Sequence, residues 1–261
     1  MVEDNEIILE GAISVLSALD FDSARITKII IKQGADNKTT RKIIAEAKAK
    51  NVGIEYFTHD EMQGLAKVYP LGKTHGGIIA LVKKRGYLSP LELLNLDNIK
   101  IIAVIEGIED PYNLGYAARA LYTQGADALI LPGRDFGFSE SVIEKASTGT
   151  FSKMPVAVFG PDKIELINLL KRENFKIYCV DIKAPAGSQI KVSDIFDVKF
   201  AEKTVVIIGG EKRGVSKDFL RGADEIVRIP YAKKFPHSLA AQSAATIVAY
   251  EIHRQKRGLR T

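Results

Sequence analysis

From residue 100 onward, short wholly apolar runs alternate with amphipathic ones, and that alternation constrains the fold more than any other feature. The runs are KIIAVIE (100–106), DALIL (127–131), PVAVF (155–159), KIYCVD (176–181), TVVIIGG (204–210) and EIVRI (225–229). Segments 113–124, 139–146, 163–172, 215–222 and 238–256 carry a helical period. Strands apolar at nearly every residue, rather than at alternate ones, belong in a sheet covered on both faces. Helical crossovers between parallel strands supply that cover. The expected class is α/β with a mostly parallel sheet.

The first 85 residues alternate as well. IILEGAISVLSAL (7–19) puts Ile8, Ala12, Val15, Leu16 and Leu19 on one helical face, which predicts a helix. Residues 28–32, 53–57 and 77–84 predict strands, and 37–50 and 59–68 predict helices. A small N-terminal α/β unit over 1–86 is expected. The texture then changes at KKRGYLSPLELLNLDNIK, where a charge run, Ser89-Pro90 and Asp97-Asn98 mark 87–99 as a linker before a domain over 100–261. Lys83, Lys84 and Arg85 read either as a solvated end or as an RNA contact.

Composition excludes some function classes. No window approaches the roughly 20 apolar residues of a membrane span, and the acidic start MVEDNEIILE lacks the apolar run of a secretory signal. The single Cys179 excludes an intrachain disulfide, and with four scattered histidines it leaves no visible metal cluster. A cytoplasmic protein with no metal and no membrane partner is expected. The net charge of +5 favours a polyanionic partner, weakly. The absence of Trp argues against a broad base-stacking platform.

Three segments could carry chemistry. In EGIEDPYNLGYAARALYTQ (106–124), Asp110-Pro111 makes a turn and a helix begins near Asn113. Arg119 is an unusual tenant of that small, apolar helix; it either serves a site or pairs with a carboxylate such as Glu109. GGEKRGVS (209–216) nearly fits the phosphate-loop pattern, but Val215 occupies the Lys position, so no charge is available for β/γ-phosphates. What survives is either a backbone that lets a ligand approach or a tight turn. In RIPYAKKFPHSLAAQSAATIVAYEI (228–252), Ser238 stands where a helix N-cap is expected, and small residues follow it. His237 reads as structural rather than as a base.

Together these segments resemble the SpoU/TrmH family of RNA 2′-O-ribose methyltransferases, in the knotted SPOUT superfamily. The first motif is Asp110-Pro111-Tyr112-Asn113-Leu114-Gly115 with Arg119. The second is Gly209-Gly210-Glu211-Lys212-Arg213-Gly214 with Ile229-Pro230, and the third is Ser238-Leu239-Ala240 with Tyr250-Glu251. ASTGTFSKMPV (146–156) is similar to the family's connector between its second and third strands. Residues 1–86, through ILEGAISVLSAL and THGGIIALV (74–82), are similar to the substrate-binding domain often found upstream.

The resemblance implies a deep trefoil knot in the C-terminal domain, with S-adenosylmethionine bound through Gly209, Gly210, Ile229 and Leu239. It implies a homodimer with the Ala-rich last helix near the interface, acting on RNA, rRNA ahead of tRNA. It also implies catalytic roles for Arg119, Asn113, Glu211 and Ser238. A guanidinium stays protonated, so Arg119 would stabilise the developing alkoxide or clamp a phosphate. Asn113, Glu211 and Ser238 would orient it or the ribose. One departure stands out: Ala240 occupies the family's Asn position. Either Gln242 substitutes for that amide, or turnover is weakened, or the chain is an RNA-binding assembly or regulatory protein of the same fold.

Overall fold

A computed structural model describes residues 5–68, 75–133, 140–210 and 213–257. The chain divides into two compact units, residues 1–86 with 135–153, and residues 87–134 with 154–261.

The first unit begins with β1 (Glu6–Glu10), α1 (Ala12–Asp22), β2 (Ile26–Lys32), α2 (Lys38–Ala49), β3 (Ile54–Phe57), α3 (His59–Val68) and β4 (Ile78–Lys83). Its sheet runs β1-β4-β2-β3, with β4 antiparallel to both neighbours and β2 parallel to β3. The helix expected over 7–19 is therefore a strand followed by a helix. Gly11, at φ +85, lies between them in a backbone region that favours glycine. The reason is two-sided burial: Ile7 and Leu9 enter one apolar cluster while Ile8 enters the other. β2 and β4 split the same way, Ile29 and Ile31 against Ile30, and Ala80 and Val82 against Ile79 and Leu81. Asn37 caps α2 by accepting from the amides of Thr39 and Thr40.

The second unit opens with α4 (Pro90–Leu94), β5 (Ile101–Ile105), α5 (Pro111–Thr123) and β6 (Ala128–Pro132). Residues 87–99, expected as a linker, are instead packed into this unit. Ser89 and Glu92 form a capping box at the start of α4, and Leu93 is fully buried. Leu88 donates to Val156 O and accepts from Val158 N at 3.0 and 2.9 Å. Burial of one leucine contributes about 2 kcal/mol, enough to hold so short a helix in place.

After β6 the chain leaves this unit. The helix α6 (Glu140–Ser147) and the turn behind it belong to the first unit, which corrects the expected 100–261 domain. The cause is a set of side-chain clamps. The nearly buried Glu140 accepts from Arg25 Nη2 at 2.5 Å and from the Arg85 amide at 3.2 Å. Ser17 Oγ donates to Gly149 O at 2.7 Å, and Lys145 pairs with Glu10 at 3.2 Å. Arg85 also donates to Phe151 O and lies over its ring, so it is an internal anchor, whereas Lys83 and Lys84 are exposed.

The second unit resumes with β7 (Val156–Phe159), α7 (Lys163–Arg172), β8 (Lys176–Val180), β9 (Val192–Asp194), β10 (Thr204–Ile208), α8 (Lys217–Gly222), β11 (Glu225–Arg228) and α9 (Ala241–Arg257). Among the described residues its sheet is seven-stranded, in the order β7-β6-β5-β10-β8-β11-β9. Every pairing is parallel. The edge strand β9 was not expected, since its three residues are too few to show a pattern. All five residues of β10 are buried, as a central strand covered on both faces requires. Strands β5 to β7 step outward one way and β8 begins on the other side, with β10 between them. Such a reversal of strand order opens a crevice beyond the carboxyl ends of the strands.

Candidate active site at the carboxyl edge of the parallel sheet

A cavity of about 870 Å³ lies at that edge. The end of β5 contributes Glu106, Gly107, Glu109 and Asp110, and the end of β6 contributes Pro132 and Gly133. Phe159, Gly160, Pro161 and Lys163 follow β7, and Gly210, Arg213, Gly214 and Ser216 follow β10. A volume of roughly 300–1,000 Å³ is usual for a small-ligand site.

Glu106 organises its wall. One carboxylate oxygen pairs with Lys163 Nζ at 2.5 Å, and the other accepts the Ser216 amide at 2.8 Å. With both oxygens engaged, the carboxylate is held in one orientation across the gap between β5 and the β10 loop. Ser216 precedes α8 without capping it, and its hydroxyl is buried with no hydrogen-bond partner among the described residues. Asp110 accepts the Asn113 amide at 3.0 Å and so caps α5, with Pro111 in the first turn.

The glycines of the 209–216 loop work by contact between backbones. A Cβ on Gly209 would lie 2.1 Å from Gly214 C, and one on Gly210 would lie 2.3 Å from Gly107 O. The Gly214 amide donates back to Gly210 O at 3.0 Å, at a φ of +63. Among the described residues the loop closes as a tight turn pressed against the end of β5, and Gly210 and Gly214 still face the cavity. Val215, where a phosphate loop needs Lys, is buried in the core. The position cannot present a charge to a ligand.

The other expected site residues are distributed unevenly. Gly210 lines the cavity, with Gly209 beside it at the end of β10. Asn113 is half-buried in the first turn of α5. Arg119 is exposed, and no pairing with Glu109 or another described carboxylate is found; it shares an outward face with Tyr112, Tyr116 and Thr123. Glu211 lies outside the described residues. Ile229 follows β11, two strands from β10 along the same edge. Leu239 is half-buried, and its amide donates to the Tyr231 hydroxyl at 2.8 Å.

Ser238 is exposed and does not cap the last helix. That helix starts at Ala241, and Ala240 O is the acceptor of its first turn. Gln242 Oε1, by contrast, is buried and unpartnered among the described residues. Glu106, Lys163 and Ser216 were not singled out from sequence as site residues. A carboxylate closing an apolar strand was the available signal for Glu106; Lys163 carried none.

Comparison with known proteins gives this geometry its context. Residues 100–250 match the model of the SpoU rRNA methylase family, and residues 8–88 match that of the RNA 2′-O ribose methyltransferase substrate-binding domain. A TrmH-family relative in Staphylococcus epidermidis is 27% identical over 259 residues, spanning 97% of this chain and 98% of its own length. The SpoU methyltransferase AviRb of Streptomyces viridochromogenes, solved in complex with AdoMet, superposes with a TM-score of 0.76 at 20% identity, over 97% of this chain and 92% of its own. An AdoMet-bound rRNA methyltransferase of Sinorhizobium meliloti superposes at 0.74 and 19% identity, over 96% and 87%. At such identities the two superpositions establish a shared fold. The family match, which covers more than half of the sequence, establishes descent: the chain belongs to the SpoU rRNA methylase family, among the SpoU/TrmH RNA methyltransferases.

Proposed function

We propose that the protein transfers a methyl group from S-adenosylmethionine to a ribose 2′-hydroxyl of RNA, with rRNA preferred over tRNA. One observation carries the reading: Asp110 of the first motif and the Gly210–Gly214 turn of the second line one cavity at the carboxyl edge of the parallel sheet. Preference for rRNA rests on the separate substrate-binding unit and on the net charge of +5.

The residues at the ends of β10, β8 and β11 suit the cofactor. Gly209, Gly210, Ile229 and Leu239 are half-buried, so backbone and apolar surface are both within reach there. Asp181, at the end of β8, adds a carboxylate suited to a sulfonium, and Ile182 beside it is 61% exposed. S-adenosylmethionine, when bound, supplies an electrophilic methyl on sulfur. The chain must align the hydroxyl with that methyl and stabilise the oxygen as it loses its proton. Arg119 supplies fixed positive charge for the second task, while Asn113, Glu211 and Ser238 orient the ribose.

The exposed position of Arg119 bears on assembly. Tyr112 and Tyr116 on α5 are about half exposed, as are Ile247 and Tyr250 on α9, and these two helices pack together. An aromatic and apolar face of this kind suits a second copy of the chain. Of the alanines of α9, Ala241, Ala245 and Ala249 are buried within their own unit and contribute nothing to this face, while Ala244 is half-buried. A homodimer on this face would carry Arg119 to the boundary between subunits. The trefoil knot and a cytoplasmic location complete the reading.

Incubation of total RNA with labelled S-adenosylmethionine tests it. We expect ribose 2′-O-methylation, reduced about 10²- to 10³-fold in Arg119→Ala with cofactor affinity retained. Cofactor binding by the wild type without ribose methylation of any RNA would overturn the reading.

A further inference from the structure

The cavity extends from β10 toward one edge of the sheet, and Ile229 and Asp181 of the proposed cofactor region lie toward the other, with Gly210 at the boundary. The cavity is built from the ends of β7, β6, β5 and β10, whereas Ile229 and Asp181 stand at the ends of β11 and β8. Neighbouring strands are about 4.8 Å apart, so β5 and β11 end roughly three strand spacings from one another. The 209–216 loop borders both regions. A ribose presented at this loop would have its base on one side and the methyl donor on the other.

We infer that the cavity receives the unstacked base of the nucleotide whose ribose is methylated, an inference that rests on the methyltransferase reading above. Three observations point to a neutral, planar, hydrogen-bonding ligand. Pro132 and Pro161, with the edge of the mostly buried Phe159 behind them, supply apolar surface against which a ring can lie. Among the described residues the lining is mixed in charge, with carboxylates Glu106, Glu109 and Asp110 beside the cations Lys163 and Arg213, so they offer no excess of positive charge to a phosphate group. The polar groups are positioned in advance: Glu106 is held by Lys163 and the Ser216 amide, and the Ser216 hydroxyl is left without a partner. A fixed carboxylate accepts from the N–H groups on a base edge, and a free hydroxyl donates or accepts as the base requires. Extruding a nucleotide costs a few kcal/mol, which stacking and edge contacts in such a pocket offset.

Gly160 provides the test. It lines the cavity, its backbone is not in the left-handed region, and a Cβ there would meet nothing within 4 Å. Gly160→Leu should therefore fill the space without disturbing the fold. Saturation-transfer NMR with adenosine, guanosine, cytidine and uridine reads base binding directly, calorimetry reads S-adenosylmethionine affinity, and methylation of total RNA reads turnover. The variant should lose nucleoside binding and methylation by about tenfold or more, with cofactor affinity unchanged within about twofold. The inference is overturned if the wild type binds no nucleoside, or if both proteins bind nucleosides equally. It is also overturned if cofactor affinity falls in parallel, because the cavity would then be the cofactor's own. Nucleoside binding needs no turnover. A wild type that binds nucleosides in a Gly160-dependent way but methylates no RNA would sink the proposed reaction and leave the cavity assignment standing.

Discussion

The two units are closed by different kinds of contact. At the carboxyl edge of the seven-stranded sheet, Gly209 packs on the Gly214–Val215 backbone and Gly210 packs on Gly107, main chain against main chain. In the first unit, α6 is held by side chains: Arg25 on Glu140, Lys145 on Glu10, and Ser17 on Gly149. Backbone contacts cannot adjust without moving a strand end, whereas side-chain contacts can change rotamer or be trimmed. The site-bearing unit is thus closed by its least adjustable contacts, which suits a pocket whose walls must hold their places.

Substitutions can break or sharpen that contrast. Gly210→Ala should have the largest effect, because the new Cβ would lie 2.3 Å from Gly107 O and no side chain is available to trim. A loss of about 4 kcal/mol or more is expected by urea unfolding, with no single second-site change restoring it. If Gly210→Ala folds with wild-type stability, the backbone contact is not a constraint.

Gly149→Ala should cost less, about 2 kcal/mol, for its positive φ and its collision with Ser17. There the offending atom is Ser17 Cβ, at 2.1 Å. Adding Ser17→Gly should therefore restore about half of the loss. A double variant no better than the single one would show that α6 docks as rigidly as the glycine edge.

The smallest effect concerns Glu144, which is 1% exposed and accepts from Ser152 Oγ at 2.5 Å. Burial pushes its carboxyl above the usual range, opposed by the Ser152 hydrogen bond and by the nearby Arg85 and Arg25, and Glu140 adds to the rise. A folded value above the unfolded one means that the folded state binds the extra proton. Stability from this group is therefore intact below the ordinary value of 4.5 and is lost as pH rises through the folded value. Glu144→Gln keeps an acceptor for Ser152 and removes the titration. Its stability relative to wild type should rise as pH climbs above 4.5, read as a pH-dependent difference in urea melts. A pH-independent difference would remove Glu144 as its source.

Much of this was legible in the residues. The apolar runs from 100 onward gave each long strand of the parallel sheet within about two residues, in line with the strength of such patterns. The helix expected to begin near Asn113 begins two residues earlier, at Pro111, with Asp110 of the expected turn as its cap. Val215, read as incompatible with a phosphate loop, is buried in the core. Elsewhere local pattern misled. Ile8 shares a helical face with Ala12 and Val15, yet β1 is a strand because β4 takes its amides and both of its faces find a core. Ser238 had the chemistry of a cap, yet the helix begins three residues later.

The sequence by itself determined the alternation of strand and helix, the turn glycines and the ordered motifs that identify the family, because these depend on neighbours within a few residues. Only the tertiary structure decided that 87–99 packs with the second unit and 135–153 with the first, and that Glu106 joins Lys163 and Ser216 around a cavity. The Glu106 contacts join residues 57 (163 − 106) and 110 positions apart in the chain, and those of α6 and its turn join residues 115 and 132 apart. A pairing at such distances leaves no periodic trace in either segment.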